Sequence, residues 1–389
     1  MSVIGNAITL GGGGSVALQS IAVSTPPSRT AYAVGASFDT TGMVVMANYV
    51  VNGSAMNNVV VNNADLSISP GTLTANTTSV TISYTVDGVT KTATQAVRVY
   101  AVGSSLNATS WDVISAVAQA GDGAAFWDVG DAKEITLNGT VGQLSLSSLS
   151  ICVFILDFNH PENGTADNNI LFGGFKSAVT GGEELTLVDS LYGVWKTDGT
   201  HAFNMSHWGN KNDGGWKGCD FRYDILGSAK TPPTGYGSSP ASGRIGYDAT
   251  NAAIQSPKAN TLMAALPSAF RSVLRLRTHY ADNVGYGGGG SADVTSVVDA
   301  ISLLTEFEVF GRRVYANNYE QNHQKQMAYY ADGNTTVKYS HIDQTSPAVW
   351  WLSSPYSSAT YGFTVGNAAG NDSYADAVRP YGIAPVFKV

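Results

Sequence analysis

The acidic residues and histidines of this chain lack the spacings that hydrolytic enzymes use. Cleavage of a glycosidic bond needs two carboxylates across a cleft. The candidates, Glu306 and Glu308, lie two residues apart in a segment, 304–310, that we expect to be a strand. Both would then share one face between core residues, which favours a structural hydrogen-bonding role. The six histidines match neither a zincin nor a Ser–His–Asp motif; they are His160, His201, His207, His279, His323 and His341. We therefore expect a binding protein and no enzyme.

Little in the sequence indicates metal or thiol chemistry. Four ligands at zinc-site spacing are absent from the sequence, and His201 and His207 lie in a polar loop where solvated or stacked rings are expected. We therefore predict no metal site and no cofactor. Cys152 lies in the apolar run 151–156, which predicts a buried thiol, and nothing in the spacing supports a disulfide with Cys219. Oxygen ligands that could hold calcium occur in two groups, Asn210, Asn212 and Asp213, or Asp372 and Asp376.

The segment 353–381 has the composition of a recognition surface. Its 29 positions include four Tyr, five Ser, five Ala, three Gly and two Asn, with no Leu, Ile, Lys or Glu. Tyrosine offers rigid amphipathic area with few torsions to freeze, while Ser, Gly and Asn adapt their hydrogen bonds to a ligand. The predicted ligand-binding residues are Ser353, Tyr356, Ser357, Ser358, Thr360, Tyr361, Phe363, Asn367, Asn371, Asp372, Ser373, Tyr374, Asp376 and Tyr381.

Apolar residues bracket this segment on both sides. Trp350, Trp351 and Leu352 precede it, and Val386 and Phe387 follow it. Such residues would anchor both ends in the core and leave the middle displayed for binding. An ordinary Ser- and Gly-rich loop that covers the core is the alternative interpretation.

Length and composition favour a multidomain protein whose surface carries few charges. A chain of 389 residues is expected to hold two or three domains. Only 13% of the residues are charged, and the net charge of −8 argues against a nucleic-acid partner, which needs clustered Lys and Arg. Residues 1–10 have neither a basic start nor a long apolar run, so we expect no signal peptide and no membrane insertion. A surface-type protein without an export signal fits a virion component that is released by lysis.

Changes in composition divide the chain into four segments. Residues 1–16 are predicted to be an attachment segment with a glycine-rich hinge, and residues 103–109 a linker. Residues 17–102 hold short Val- and Thr-rich runs, which predict a small β-sandwich; the runs are 20–24, 30–34, 44–51, 66–69, 79–86 and 89–99. Asp87 and Gly88 predict a tight hairpin between the last two runs. In residues 110–389 we expect helices at 111–120 and 267–276 and strands at 153–158, 184–188 and 304–310.

The first domain contains four sequence motifs that are similar to those of a known repeat. These motifs lie at residues 21–32, 38–45, 71–75 and 80–84. Together they resemble the bacterial immunoglobulin-like repeats of adhesins and phage tail proteins. The resemblance implies an immunoglobulin-like sandwich that serves as a spacer, so we assign no site to residues 17–102.

The second domain contains motifs at 126–130, 154–160, 214–222 and 304–311. The two motifs with the most specific resemblance are Val349-Trp-Trp-Leu-Ser-Ser-Pro355 and Gly382-Ile-Ala-Pro-Val-Phe387. They resemble an uncharacterised domain family of gut bacteria and their phages. The ending is also similar to that of the variable proteins of diversity-generating retroelements, although Ala384 and Ser353 stand where Arg is frequent. The resemblance implies an α+β C-type-lectin-like fold for residues 110–389. Related formylglycine-generating enzymes use a close cysteine pair that this chain lacks.

The same resemblance implies a function. We expect a phage tail-associated protein that determines host range by binding a bacterial surface protein or glycan through a diversified surface at 353–381. Other tail proteins would contact the N-terminal segment, and three copies would form a homotrimer at a tail tip or fibre of the virion. The alternative is a bacterial surface adhesin or carbohydrate-binding module of the same fold.

Overall fold

Short β-strands dominate both halves of this chain, so the mainly β prediction is confirmed. A computed structural model describes residues 2–4, 7–9, 15–162, 164–199, 201–238, 243–285 and 289–389. The chain divides into two units, Met1–Gly103 and Ser104–Val389. No helix among the described residues has the length and apolar character needed to cross a membrane. Residues 11–14 of the predicted glycine-rich hinge, 11–15, lie outside the described residues.

Four small sheets make up the described part of the first unit. They are the hairpin β1-β2, the antiparallel sheets β3-β5-β6 and β7-β8-β9, and the parallel pair β4-β10. The strands are β1 (Ser2–Ile4), β2 (Ala7–Thr9), β3 (Val16–Thr25), β4 (Ala31–Ala33), β5 (Val44–Val51), β6 (Ser54–Val61), β7 (Ser67–Ser69), β8 (Ser79–Val86), β9 (Val89–Ala96) and β10 (Arg98–Tyr100).

The alternation of apolar and polar residues explains how these sheets pack. Alternate residues of β5 are buried, and they form one apolar cluster with Ile82 and Tyr84 of β8. The two three-stranded sheets therefore share a core. The predicted hairpin is confirmed, because Asp87 (φ 48°) and Gly88 (φ 79°) form the turn that joins β8 and β9. Strands β1, β2 and β6 were not predicted from the sequence.

The second unit is organised around a five-stranded sheet with the order β11-β12-β13-β23-β17. Smaller sheets are β14-β18-β19, β15-β16 and β20-β21-β22. The strands are β11 (Ala132–Val141), β12 (Leu144–Phe158), β13 (Ile170–Lys176), β14 (Leu185–Thr186), β15 (Arg277–Asp282), β16 (Val294–Asp299), β17 (Ser302–Leu303), β18 (Lys338–Ser340), β19 (Pro347–Ala348), β20 (Trp350–Pro355), β21 (Gly362–Gly366), β22 (Asp372–Asp376) and β23 (Pro385–Lys388). The helices are α1 (Trp111–Gln119), α2 (Gly215–Gly218), α3 (Asp220–Asp224), α4 (Asn251–Gln255), α5 (Leu262–Ala265), α6 (Ser268–Arg271), α7 (Glu306–Phe310) and α8 (Ala328–Ala331).

Strand β23 occupies an interior position of the five-stranded sheet. It runs antiparallel to both of its neighbours, β13 and β17. Beyond it, the backbone N–H and C=O of Val389 exchange hydrogen bonds with Ile170 at 3.0 and 3.1 Å. Phe387 packs against Phe270 of α6, with a centroid distance of 5.1 Å. The apolar bracket that follows the Tyr-rich segment is therefore part of the core.

Four predicted elements are correct in place, and three of them differ in extent. Helix α1 matches the prediction for 111–120, and the Ser110 hydroxyl caps it by accepting from the N–H of Val113 at 3.5 Å. The helix expected at 267–276 shortens to α6. The strand expected at 184–188 shortens to β14, and the strand expected at 153–158 belongs to the longer β12.

The predicted strand at 304–310 is wrong, because Glu306–Phe310 forms helix α7. Thr305 and Glu308 make a capping box at its start: the Thr305 hydroxyl accepts from the N–H of Glu308, and the Glu308 carboxylate accepts from the N–H of Thr305. Gly311 ends the helix in the left-handed region, at φ 63°. These local hydrogen bonds outweigh the strand preference of the apolar residues between them.

Candidate functional site

The three-stranded sheet β20-β21-β22 positions the Tyr-rich segment. Every residue of β20 and β21 is buried, whereas β22, at the edge, is only partly covered. Accessible residues therefore come from β22 and from the turns 356–361 and 367–371. Two predicted ligand-binding residues are corrected on this ground: Ser353 (0% exposed) and Phe363 (1%) lie on the buried strands and cannot reach a ligand.

Four tyrosine rings form a cluster over this sheet. Tyr356 and Tyr374 are stacked, with centroids 4.1 Å apart and an angle of 21° between the rings. Tyr361 lies 6.5 Å from Tyr356, and Tyr315 lies 5.3 Å from Tyr374. Tyr374 is 39% exposed. We call these four residues the tyrosine cluster.

The tyrosine cluster combines apolar ring faces with polar hydroxyl groups. Desolvation, followed by the nearby Tyr374 and Tyr356, raises the pKa of Tyr361. Its hydroxyl therefore remains a hydrogen-bond donor throughout the physiological pH range. A surface of this kind offers aromatic faces and hydroxyl groups to the same ligand.

A buried asparagine holds the first turn of the segment in place. The Asn212 side-chain amide donates to the carbonyl oxygens of Tyr356 (3.2 Å), Ala359 (2.9 Å) and Gly362 (3.0 Å). Its backbone N–H also donates to the carbonyl of Thr360 at 3.0 Å. Asn212 is 1% exposed, and its four hydrogen bonds fix the turn 356–361.

A buried carboxylate positions Tyr315, which lies outside the predicted segment. Glu306 accepts from the backbone N–H groups of Tyr315 (3.1 Å) and Ala316 (2.8 Å). The Tyr315 carbonyl in turn accepts from the Ser357 hydroxyl and backbone N–H, both at 3.0 Å. Burial raises the pKa of Glu306, although these backbone bonds oppose the rise. The contacts give Glu306 the structural role that the sequence suggested, on a helix and not on a strand.

Polar residues surround the tyrosine cluster. Arg312 binds Asp372 through two hydrogen bonds of 2.9 and 3.0 Å. The Asn210 amide donates to Asp376 at 2.9 Å. Asp372 and Asp376 thus each have a protein partner, and calcium binding by this pair stays a prediction. Asp213 is different, because both of its carboxylate oxygens are buried without a hydrogen-bond partner among the described residues. Calcium binding there stays a prediction.

The other predicted residues occupy different surroundings. Ser358 and Asn371 are exposed, and Thr360 and Ser373 are half-buried. The Asn367 side chain accepts from the backbone N–H groups of Ala369 and Asn371, at 2.9 and 3.0 Å, and so closes the second turn. Tyr381 packs away from the tyrosine cluster, with its ring 5.4 Å from Trp351 and 5.7 Å from Tyr192.

Residues 235–389 match a family described as a domain of unknown function (DUF6273). The match covers less than half of the chain. It includes the tyrosine cluster, Glu306 and the whole segment 353–381, but Asn210 and Asn212 precede it. No curated protein matches the chain.

Residues of the motif at 214–222 make structural contacts with one buried carboxylate, that of Asp299. Asp299 accepts from the Trp216 indole N–H (2.8 Å) and from the Ser228 hydroxyl (2.8 Å), and it pairs with the Arg222 guanidinium. His279 lies 2.8 Å from the same carboxylate. Burial would raise the pKa of Asp299, but Arg222 and His279 outweigh it and lower the pKa. This network orders α2, α3 and β16 without reaching the tyrosine cluster.

Sequence reasoning missed Tyr315, Arg312 and the supporting role of Asn212. Tyr315 lies 41 residues before Tyr356, and Asn212 lies 144 residues before it. No local periodicity reports contacts over such separations. The buried state of Cys152 was predicted correctly, and both Cys152 and Cys219 are free and buried.

Proposed function

We propose that this chain is a phage tail-associated protein that binds a bacterial surface protein or glycan through the tyrosine cluster and its polar surroundings. The observation that carries the proposal is the gathering of four tyrosine rings from three separate parts of the chain into one accessible patch. Aromatic residues with polar tips are the side chains most enriched at recognition surfaces. A merely space-filling loop would not need Asn212 and Glu306 to fix both sides of the patch.

Rigidity of the patch is a second argument for recognition. A ligand loses less free energy on binding when the residues that contact it are already ordered. Asn212 holds the turn 356–361, Asn367 closes the turn 367–371, and Arg312 fixes Asp372. The residues between these supports can vary without changing the scaffold, which is the property expected of a diversified surface.

We also propose a specific fold for each unit. We assign the first unit to an immunoglobulin-like sandwich, and this assignment is supported by two three-stranded sheets that share the apolar cluster of Val45, Tyr49 and Ile82. The second unit is assigned to a C-type-lectin-like fold. Its support is the five-stranded sheet that includes β23, beside a small separate sheet that carries the Tyr-rich segment. The first unit would then be a spacer and the second the receptor binder.

Replacement of Tyr356, Tyr361 and Tyr374 together by Ala tests the surface. The fluorescently labelled full chain is incubated with a panel of bacterial strains, and bound protein is measured by flow cytometry. A hot-spot residue at the centre of an interface typically contributes about 2 kcal/mol or more. If one of the three tyrosines is a hot spot, its loss lowers binding to bacterial cells by about 30-fold. We therefore expect a fall of at least about this size, with an unchanged circular dichroism spectrum.

The matched control replaces two exposed tyrosines outside the segment, Tyr247 (41% exposed) and Tyr319 (39%). This variant should bind cells as the wild type does. Normal binding by the triple variant would place the recognition surface elsewhere. Excess purified chain should also block adsorption of the phage to its host, whereas a bacterial adhesin would leave adsorption unchanged.

A further inference from the structure

Three side chains with metal-binding atoms converge at a place that the tyrosine cluster does not involve. His201 Nδ1 and His207 Nδ1 each lie 3.1 Å from Asp224 Oδ2. One ligand atom from each of the three residues lies within 4.8 Å of the other two. The two imidazole rings meet edge to face, with centroids 5.4 Å apart. His207 and Asp224 are buried, and the His201 side chain is half-exposed.

Neighbouring backbone groups fix each of these residues. Asp224 is the last residue of α3, and the backbone N–H of His207 donates to the Asp220 carboxylate on the same helix at 3.0 Å. Gly142, in the turn between β11 and β12, presses against the backbone of His201. A Cβ at position 142 would lie 2.4 Å from the His201 carbonyl oxygen. The three ligands therefore come from an ordered frame.

The two nitrogen-to-oxygen separations fit a metal coordination shell. Zinc binds imidazole nitrogen at about 2.0–2.1 Å and carboxylate oxygen at about 2.0–2.2 Å. In a tetrahedral shell, these bond lengths place two ligand atoms roughly 3.3 Å apart. The two nitrogen-to-oxygen distances of 3.1 Å are close to that value.

Hydrogen bonding alone does not account for the crowding at Asp224 Oδ2. Besides the two imidazole nitrogens, the Tyr236 hydroxyl donates to this oxygen at 2.5 Å. A carboxylate oxygen offers about two lone-pair directions, so three donors exceed its capacity. A cation that replaces the imidazole protons removes this conflict, because both nitrogens then point lone pairs at the ion.

We propose that His201, His207 and Asp224 bind a divalent transition-metal ion of the zinc type. Beside two of these residues lies a cavity of about 80 Å³, which is lined by Gly142, His201, Asp224, Lys258 and Asn260. The Lys258 ammonium donates to the other carboxylate oxygen, Oδ1, at 2.7 Å and orients the carboxylate toward the histidines. The site lies outside 353–381, and its existence does not depend on the proposed receptor binding.

Titration of the metal-free full chain with zinc sulphate in a calorimeter tests the site. The chain is first treated with a chelator and dialysed. We expect one zinc ion per chain and a higher melting temperature with zinc than without it. His201→Ala should weaken zinc binding by about tenfold or more, because it removes one ligand. This variant should fold normally, since the His201 side chain is half-exposed.

The matched control is His323→Ala, which removes another exposed imidazole far along the chain. It should bind zinc as the wild type does. Asp224→Asn provides a second variant, and cobalt a second readout, since tetrahedral Co²⁺ absorbs visible light and free Co²⁺ does so only weakly. Absence of zinc binding by the wild type would overturn the proposal. Equal binding by the wild type and a folded His201→Ala variant would overturn it as well.

Discussion

Glu320 should make the second unit less stable as the pH rises. Its side chain is fully buried, accepts from the N–H of Asp282 at 2.8 Å, and bonds to the Ser354 hydroxyl at 2.6 Å. Burial raises the pKa of Glu320 to about 8 in spite of these hydrogen bonds, and the nearby Asp282 and Glu306 add to the rise. The native state therefore keeps this proton at pH values where the unfolded chain, with a pKa near 4.5, has lost it.

The sign and size of the effect follow from this difference in proton binding. Stability contributed by the neutral group is complete below pH 4.5 and is lost as the pH rises through about 8. One proton changes the free energy of unfolding by about 1.36 kcal/mol per pH unit. Between pH 4.5 and about pH 8, the free energy of unfolding should thus fall by roughly 4–5 kcal/mol.

Guanidinium denaturation of the full chain, followed by tryptophan fluorescence, measures the effect. The signal reports the second unit, because all seven tryptophans lie in it: Trp111, Trp127, Trp195, Trp208, Trp216, Trp350 and Trp351. Glu320→Gln is the matched control, since an amide can accept from Asp282 and donate to Ser354 without titrating. The wild type should lose stability relative to this variant between about pH 5 and pH 8. Parallel pH profiles for the two proteins would refute the reasoning.

Two further predictions address the surface and the assembly. Asn212→Ala removes the side-chain donor of three carbonyls, of which that of Gly362 keeps the backbone N–H of Tyr356. The free energy of unfolding should fall by roughly 1–3 kcal/mol, and amide exchange should accelerate in 356–362. The exposed Asn371→Ala is the control, and unchanged exchange in Asn212→Ala would contradict the role of Asn212. Light scattering of the full chain should give a mass of three times the 40.6 kDa of one chain. We expect a trimer because multivalency compensates for weak binding by one small surface. A mass near 40.6 kDa at micromolar concentration would rule out a stable trimer.

The sequence predicted those elements whose signals are local. The pair Asp87 and Gly88 defines a turn by itself, and the alternation in β8 gives the buried face directly. In 304–310 the apolar residues suggested a strand, although Thr305, Glu308 and Gly311 contain the signals that start and end a helix. That error could have been avoided from the sequence.

The candidate site was only partly predictable, for a different reason. Composition marked 353–381 as a surface, but it does not tell which alternate residues face inward, so Ser353 and Phe363 were included wrongly. Tyr315 and Asn212 enter the site through contacts between distant segments, which depend on the whole fold. His201 and His207 were expected to be solvated or stacked because they lie in a polar loop. Their contact with Asp224 was not predictable, because Asp224 follows His207 by 17 residues in a different element.

The interior position of β23 has a genetic consequence. Codons for the Tyr-rich segment are translated before those for β23, so a stop codon or frameshift within 353–381 also removes a strand that lies between β13 and β17. Such a product would leave β13 and β17 unpaired on that side and would not complete its sheet. Substitutions that keep the reading frame leave β23 intact. Mutagenesis confined to this segment would therefore yield either chains with altered surfaces and an intact β23 or truncated chains that cannot complete the five-stranded sheet.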